Sequence, residues 1–312
     1  MRILVTGGAG FIGSNVVDRF LARGHDVAVL DNFSTGLRGN LNPKARLFEA
    51  DLTDAVAVDA AVGTFRPALV DHHAAQIDVR KSVVDPVFDA RTNLLGGIGL
   101  LEACVKHDVK KVVYASTGGA LYGEGRTLPA TEEHPIHPES PYGVSKFAFE
   151  HYLYYYAKLY GLDTTVLRYP NVYGPRQNPH GEAGVNAIFI GLLCAGKAPT
   201  IFGDGEQVRD YLYVDDVVDA NERALTAGAG ETVNLGWGKP VSVNDIVREL
   251  KVILGGGPDV IHAAGRPGEI QRIYLDASRA RQVLGWEPKV EFADGLRRTV
   301  EWYRTERTAP AA

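Results

Sequence analysis

One stretch near the N-terminus constrains this chain more than any other. Thr6-Gly7-Gly8-Ala9-Gly10-Phe11-Ile12-Gly13 follows the strand-like run Ile3–Thr6. It precedes Ile12, Val16, Val17, Phe20 and Leu21, which are apolar residues at helical spacing that end near Gly24. Glycines at such a junction permit a tight turn that side chains would obstruct. Further apolar runs at Val27–Asp31, Leu47–Ala50, Leu69–His72, Val112–Ser116 and Thr165–Tyr169 read as strands, with helical patterns between them. A repeated βαβ rhythm of this kind predicts an α/β fold, with a doubly wound parallel sheet covered by helices on both faces.

The position of the glycines gives the turn a chemical meaning. A strand-to-helix turn of this type brings backbone N–H groups to a pyrophosphate at a helix N-terminus, so Gly7, Gly10, Phe11, Ile12 and Gly13 are candidate phosphate contacts. Eighteen residues after Gly13 the second strand ends at Asp31, whose carboxylate can accept from a ribose 2′-OH and would repel a 2′-phosphate. The expectation is therefore a Rossmann domain that binds NAD in preference to NADP. Arg38 is expected as a solvated loop arginine. Asp51-Leu52, after the third strand, is placed either to flank the adenine or, through Asp51, to cap a helix.

Beyond about Asn171 the rhythm becomes irregular, with Gly/Pro-rich stretches at Tyr173–Gly184, Gly203–Gly205, Gly236–Pro240 and Gly255–Pro258. Ser242 and Asp245 form a capping-box pattern ahead of Ile246, Val247, Leu250 and Ile253. Phe292, Leu296, Val300 and Tyr303 mark a last amphipathic helix, and the tail after Arg304 is expected to fray. Two domains are expected: residues 1–171 binding the dinucleotide, with 207–235 returning to it, and 172–312 as a smaller mixed α/β substrate domain.

Composition removes several classes of partner. A net charge of −5 offers no basic field for nucleic acid. No apolar run reaches membrane-spanning length and no secretory leader pattern follows Met1, so a cytoplasmic protein without membrane contact is expected. Cys104 and Cys194 lie far apart in apolar stretches and read as small buried hydrophobes. His72 and His73 lack a partner set with ligand spacing, so no metal is expected.

Tyr142-Gly143-Val144-Ser145-Lys146 follows the turn signal Pro138-Glu139-Ser140-Pro141 and opens a helical pattern through Phe149, Tyr152, Leu153, Tyr156 and Leu159. Spacing of i, i+4 puts Tyr142 and Lys146 on one helix face. A phenol is a poor base at neutral pH; a neighbouring ammonium lowers its pKa.

Taken together, Thr6–Gly13, Asp31, Ser116–Gly123, Tyr142/Lys146 and Arg168–Pro175 resemble the extended short-chain dehydrogenases/reductases of the NAD-dependent epimerase/dehydratase type, and among them the UDP-glucose 4-epimerases. The late segments Phe202–Gly205, Val208–Tyr211, Arg266–Glu269 and Leu284–Pro288 extend the resemblance over nearly the whole chain. It implies a redox cycle in which Tyr142 takes a proton from a sugar hydroxyl while hydride passes to tightly held NAD, and the keto sugar then receives it on the other face. Lys146 would bind the nicotinamide ribose, and the cofactor site would also include Asn32, Asp51, Leu52, Ala74, Asn93 and Tyr169. A helix-bundle homodimer is implied too, with Tyr152, Tyr154, Tyr155, Tyr156 and Tyr160 near the contact.

The resemblance has one departure. The family places the hydroxyl that touches the reacting oxygen where this chain has Gly118, and Thr117 is the available substitute. The acidic residues of related dehydratases and decarboxylases fall at Gly119 and Ala120 here, which leaves no general acid for elimination. Asn171, Arg209 and Arg266 match positions that hold the substrate diphosphate, a task for which arginine forks are suited. Ile273 matches a position that bounds the sugar pocket, with plain core packing as the alternative. A UDP-hexose is thus the expected substrate, with UDP-glucuronate or a non-catalytic NAD(H)-sensing role as alternatives.

Overall fold

The computed structural model describes residues 1–179, 184–266 and 268–308; Pro267, the tail from 309 and residues 180–183 of the Gly/Pro-rich stretch after Tyr173 lie outside them. The first half follows the expected alternation. It runs β1 (Arg2–Thr6), α1 (Phe11–Ala22), β2 (Asp26–Asp31), β3 (Arg46–Glu49), α2 (Ala55–Phe65) and β4 (Leu69–His72). Next come α3 (Val79–Val84) and α4 (Pro86–Ala90), then a π-helical segment, Arg91–Gly96, that leads into α5 (Gly97–Lys106). After β5 (Lys111–Thr117), α6 (Pro141–Tyr160) and β6 (Asp163–Tyr169), elements become shorter: β7 (Asn171–Tyr173), α7 (Val185–Cys194), β8 (Thr200–Phe202), β9 (Val208–Arg209), β10 (Tyr211–Tyr213) and α8 (Val214–Ala224). The chain closes with β11 (Glu231–Asn234), β12 (Val241–Ser242), α9 (Val243–Leu254), β13 (Ile261–Ala263), α10 (Ser278–Leu284) and α11 (Phe292–Thr308).

Seven strands form one parallel sheet in the order β11-β6-β5-β4-β1-β2-β3. Order reverses beside β1, so the C-terminal ends of β1 and β4 diverge around a crevice, as doubly wound sheets require. Apolar residues of α1 and α8 cover one face, in a core continuous with α7, α9, α11 and Trp286. Residues of α2, α5 and α6 cover the other. Gly97 permits the α5–α6 crossing, because a Cβ there would stand 2.5 Å from Phe149 Cε2.

Ser242 and Asp245 do form the capping box of α9, whereas the tail expected to fray after Arg304 stays helical to Thr308. Asp216, at the start of α8, accepts from the N–H groups of Lys289 and Val290 and so ties the entry to α11 to the sheet layer. Among the described residues no helix is long and apolar enough to cross a membrane.

A buried ion pair fixes α6 to the sheet. Glu150 on α6 receives Arg168 Nη2 at 2.6 Å and Nε at 3.0 Å from β6, and Ser116 Oγ at 2.5 Å from β5. Arg168 Nη1 also donates to Tyr122 Oη at 2.8 Å, which donates to Asn234 on β11 at 2.7 Å. Removing one partner of such a pair leaves an unpaired buried charge, worth about 3–5 kcal/mol. Glu150→Leu is therefore expected to lower the unfolding free energy by about that amount in a denaturant titration, and Glu150→Leu/Arg168→Met to recover most of it.

Candidate active site

The glycine turn is shaped by close backbone approaches. Gly7 has φ +69°, and a Cβ on it would lie 2.7 Å from the backbone nitrogen of Ala74, two residues past the end of β4. A Cβ on Gly13 would lie 2.3 Å from the Gly7 carbonyl oxygen, so the first turn of α1 can pack onto the loop only without a side chain there. Gly10 caps α1 with no side-chain hydrogen bond, and no acidic residue occupies its first turn. Phe11, Ile12 and Gly13 thus open a helix with no side-chain cap and no acidic residue in its first turn, a geometry that could receive a diphosphate.

Asp31 ends β2 beside this turn. Its Oδ2 accepts from Ala9 N–H at 2.9 Å and its Oδ1 from Phe33 N–H at 2.8 Å, which holds the carboxylate still at the crevice edge. Asn32 donates to Asp51 Oδ2 at 2.7 Å, and Asp51 Oδ1 accepts from Thr53. The Thr53 hydroxyl leads in holding the Asp51 carboxyl below its usual range. Asp51 is not the helix cap, a role taken by Asp54, because its carboxylate is turned back toward Asn32 and Thr53. Leu52 is buried against Gly96. Arg38 is solvent-exposed, as expected, and from the surface it pairs with both oxygens of Glu49 at 2.6 Å and stacks 4.1 Å over the Phe33 ring.

The two histidines point to opposite faces. His72 Nδ1 lies 2.7 Å from Thr6 Oγ1, and its ring packs on Tyr114 and Phe149. Burial first, then the Lys146 and His73 charges, hold it well below the usual imidazole range, so it is neutral. His73 lies against Asp71 and the ring of Tyr169, whose hydroxyl is paired with Asn221. Ala74 N–H donates to Thr6 Oγ1 at 3.1 Å, which completes the join between β4 and the glycine turn.

Tyr142 and Lys146 sit on the first turns of α6. Ser140 caps the helix through Gly143 N–H, Pro141 occupies its first turn, and Tyr142 N–H donates to Ser82 Oγ. A Cβ on Gly143 would stand 2.5 Å from the Ala120 carbonyl oxygen, so the residue after Tyr142 must be this small for α6 to abut the loop that follows β5. Lys146 is 4% exposed; its Nζ donates to Ala115 O at 2.9 Å and lies 6.0 Å from the Tyr142 ring centroid. Burial lowers its pKa to about 8 against the opposing charges of Asp89 and Glu150.

Sequence reading missed the polar network beneath this helix. Asn93 exchanges hydrogen bonds with the Gln76 backbone and donates to Asp89 and Ser145; Ser145 Oγ donates to Asp89 Oδ2 at 2.7 Å. Asp89 and Asn93 are four residues apart, the one signal that could have paired them, but the π-helical segment that carries Asn93 is not visible in the residue pattern.

Past the end of β5, Thr117, its last residue, and Asn171 converge on Gly119. A Cβ built on Gly119 would lie 3.3 Å from Asn171 Oδ1 and 3.9 Å from Thr117 Oγ1. Asn171 N–H donates to the Asp210 carbonyl, next to Arg209. The strand Val208–Arg209 is bracketed by Gln271 and Ile273 through Val208, which places Arg209 beside the segment leading from Arg266. Arg266 is exposed, with its guanidinium 3.9 Å over the Phe202 ring. Ile273 is core: it is 2% exposed in a cluster with Tyr122, Ala130 and Leu275, because the bridges at Val208 and Ala130 turn its side chain inward.

Comparison with known proteins shows the family to which this fold belongs. Residues 3–236 match the sequence model of the NAD dependent epimerase/dehydratase family. A UDP-glucose 4-epimerase of Mycolicibacterium smegmatis is 46% identical over 312 residues, 98% of this chain and 99% of its own. The crystal structure of a UDP-glucose 4-epimerase with UDP-glucose from Thermotoga maritima superposes with a TM-score of 0.97 at 47% identity, covering 98% of this chain and 100% of that one. That of a Thermus thermophilus UDP-glucose 4-epimerase in complex with NAD gives 0.93 at 48% identity, covering 97% and 99%. The glycine cradle, the carboxylate at the end of β2 and the Tyr142–Lys146 turn thus stand in a fold shared along nearly its whole length, and the chain belongs to the NAD dependent epimerase/dehydratase family.

Proposed function

We propose that this protein interconverts UDP-glucose and UDP-galactose by oxidising the sugar at C4 and re-reducing it from the opposite face. The observation that carries this is the placement of Tyr142 and a buried, Ala115-anchored Lys146 beside a backbone cradle fit for a dinucleotide. Extended similarity to UDP-glucose 4-epimerases supports the choice of sugar. The chemistry that NAD supplies when bound is reversible hydride transfer at the sugar carbon.

The chain's own residues do the rest. Gly7, Gly10, Phe11, Ile12 and Gly13 hold the pyrophosphate, and Asp31 accepts from the adenosine ribose. Asn32, Asp51 and Leu52 flank the adenine, while Ala74, Asn93 and Tyr169 line the remaining cofactor wall. Tyr142 Oη takes the C4 hydroxyl proton and later returns it. Lys146 stabilises the phenolate by its charge and offers a further N–H to the nicotinamide ribose. Thr117 Oγ1 contacts the reacting oxygen; Asn171, Arg209 and Arg266 hold the diphosphate. Gly119 and Ala120 supply no acid, so elimination of water has no proton donor. The parallel-sheet unit, residues 1–171 with 207–235, binds NAD, and the rest of 172–312 binds the nucleotide sugar.

Two α-helical surfaces suit a homodimer. Val84 is 85% exposed, Val87 66%, Leu95 61%, Tyr154 64% and Leu159 55%, on α3, α4, the π-helical segment and α6, which pack side by side. Apolar surface of this extent is what a second copy would cover. The unpaired thiols Cys104 and Cys194 accord with a cytoplasmic setting.

Purified protein incubated with UDP-galactose and no added nicotinamide should form UDP-glucose, seen by chromatography. Tyr142→Phe should cut turnover by about 10²–10⁴-fold; failure to convert UDP-galactose even with NAD supplied would remove this sugar, and UDP-glucuronate becomes the next substrate. Because Lys146 carries its charge below a pKa of about 8, kcat/KM should fall above that pH. Lys146→Arg should move this alkaline limb upward. In sedimentation the protein should be a dimer, and Val87→Asp/Leu159→Asp a folded monomer.

A further inference from the structure

The resemblance places a hydroxyl at the position of Gly118, and the structure shows what fills the space beside that glycine. A Cβ on Gly118 would lie 2.4 Å from Leu275 Cδ1, 3.1 Å from Cδ2 and 3.3 Å from Cγ, so the whole branched end of one leucine occupies the direction of a side chain at 118. Leu275 is 1% exposed and packed with Tyr122, Ala130 and Ile273.

Its backbone is equally fixed. Leu275 N–H donates to Asp210 Oδ2 at 3.2 Å, and Ala130 brackets it by bonds from Ala130 N–H to Tyr274 O and from Asp276 N–H to Ala130 O, each 2.8 Å. The Asp210 carboxylate, itself 2% exposed, also accepts from Trp237 N–H at 3.0 Å and Gly238 N–H at 2.9 Å. The far side is closed by Gly236, where a Cβ would stand 3.2 Å from Leu275 Cβ and 2.5 Å from Asp210 Oδ2. Asp210 passes the same anchoring to the substrate side, since its carbonyl accepts Asn171 N–H at 3.0 Å.

We propose that Leu275 is a positioning residue: held by Asp210, it excludes any side chain at 118 and commits the hydroxyl contact to Thr117, whose Oγ1 faces the Gly119–Asn171 side. The inference rests on the epimerase function proposed above and adds the residue that decides which strand position can carry the hydroxyl. Leucine at 275 and glycine at 118 form one complementary pair, and a hydroxyl can move to 118 only when the leucine is cut back. Alanine at 275 keeps Cβ and removes all three atoms that crowd Gly118.

The test is relocation of the hydroxyl. Thr117→Ala should reduce kcat on UDP-galactose by about 10²-fold. Adding Gly118→Ser should restore nothing, whereas Thr117→Ala/Gly118→Ser/Leu275→Ala should recover turnover by about tenfold or more over Thr117→Ala. Full turnover in Thr117→Ala, equal recovery without the Leu275 change, or a triple variant that melts like its parents yet recovers nothing would each overturn the proposal. A second measurement needs no turnover. Gly118→Ala should lower Tm by about 3 °C more in the parent protein than in Leu275→Ala. Equal losses in the two backgrounds would show that Leu275 does not exclude a side chain at 118. A parent protein that fails to convert UDP-galactose would count against the function while this melting comparison still judges the wedge.

Discussion

The site depends on one buried charge pair. Glu150 lies one turn beyond Lys146 on α6 and is held by Arg168 of β6 and Ser116 of β5. A helix anchored so firmly, at a carboxylate that cannot move without stranding a guanidinium, presents its first turns at a fixed height above the sheet. Lys146 then reaches Ala115 O at the end of β5, and Gly143 meets the Ala120 carbonyl. The same arginine extends the restraint to Tyr122 and to β11, so the loop after β5 and the sheet edge share its geometry. Ionic pairing here sets position more than it adds stability, since the desolvation of both groups offsets much of their attraction.

A second set of buried groups acts from the other side of α6. Ser145, Asp89 and Asn93 bind one another and reach the loop at Gln76, next to Ala74 and the glycine turn. Lys146 feels both Asp89 and Glu150, which oppose the burial that lowers its pKa. An ammonium kept charged in an apolar setting, with one N–H committed to a carbonyl, is a strongly directional partner for a phenol on the preceding turn.

Much of this was legible in the residues because the relevant signals are local. Strand and helix periods, the glycine turn with Asp31 at the next strand end, and Tyr142 four residues before Lys146 each declare themselves within a short window. What was not legible depends on residues far apart. Glu150 and Arg168 pair across two elements, Leu275 meets Gly118 from the other end of the chain, and Asp210 holds three N–H groups from two distant loops. Ile273 was ambiguous in sequence because an isoleucine is equally at home in a pocket wall and a core, and the long-range bridges at Val208 and Ala130 decide which way it faces. Arg38 found its partner in Glu49 across a loop-to-strand contact that charge patterning along the chain does not encode.

The return of the chain to its first sheet has a consequence for how the molecule is made. β11 adds to the edge at β6, yet it is separated from β6 by the whole stretch that includes β7 to β10, α7 and α8. During synthesis the six strands before it can assemble while that stretch is still emerging, leaving β6 as an open edge. Such an edge is a template for pairing with another nascent chain until residue 234 arrives to cover it. The intervening segment is thus also a delay in translation, and its length sets how long the half-built sheet stays sticky.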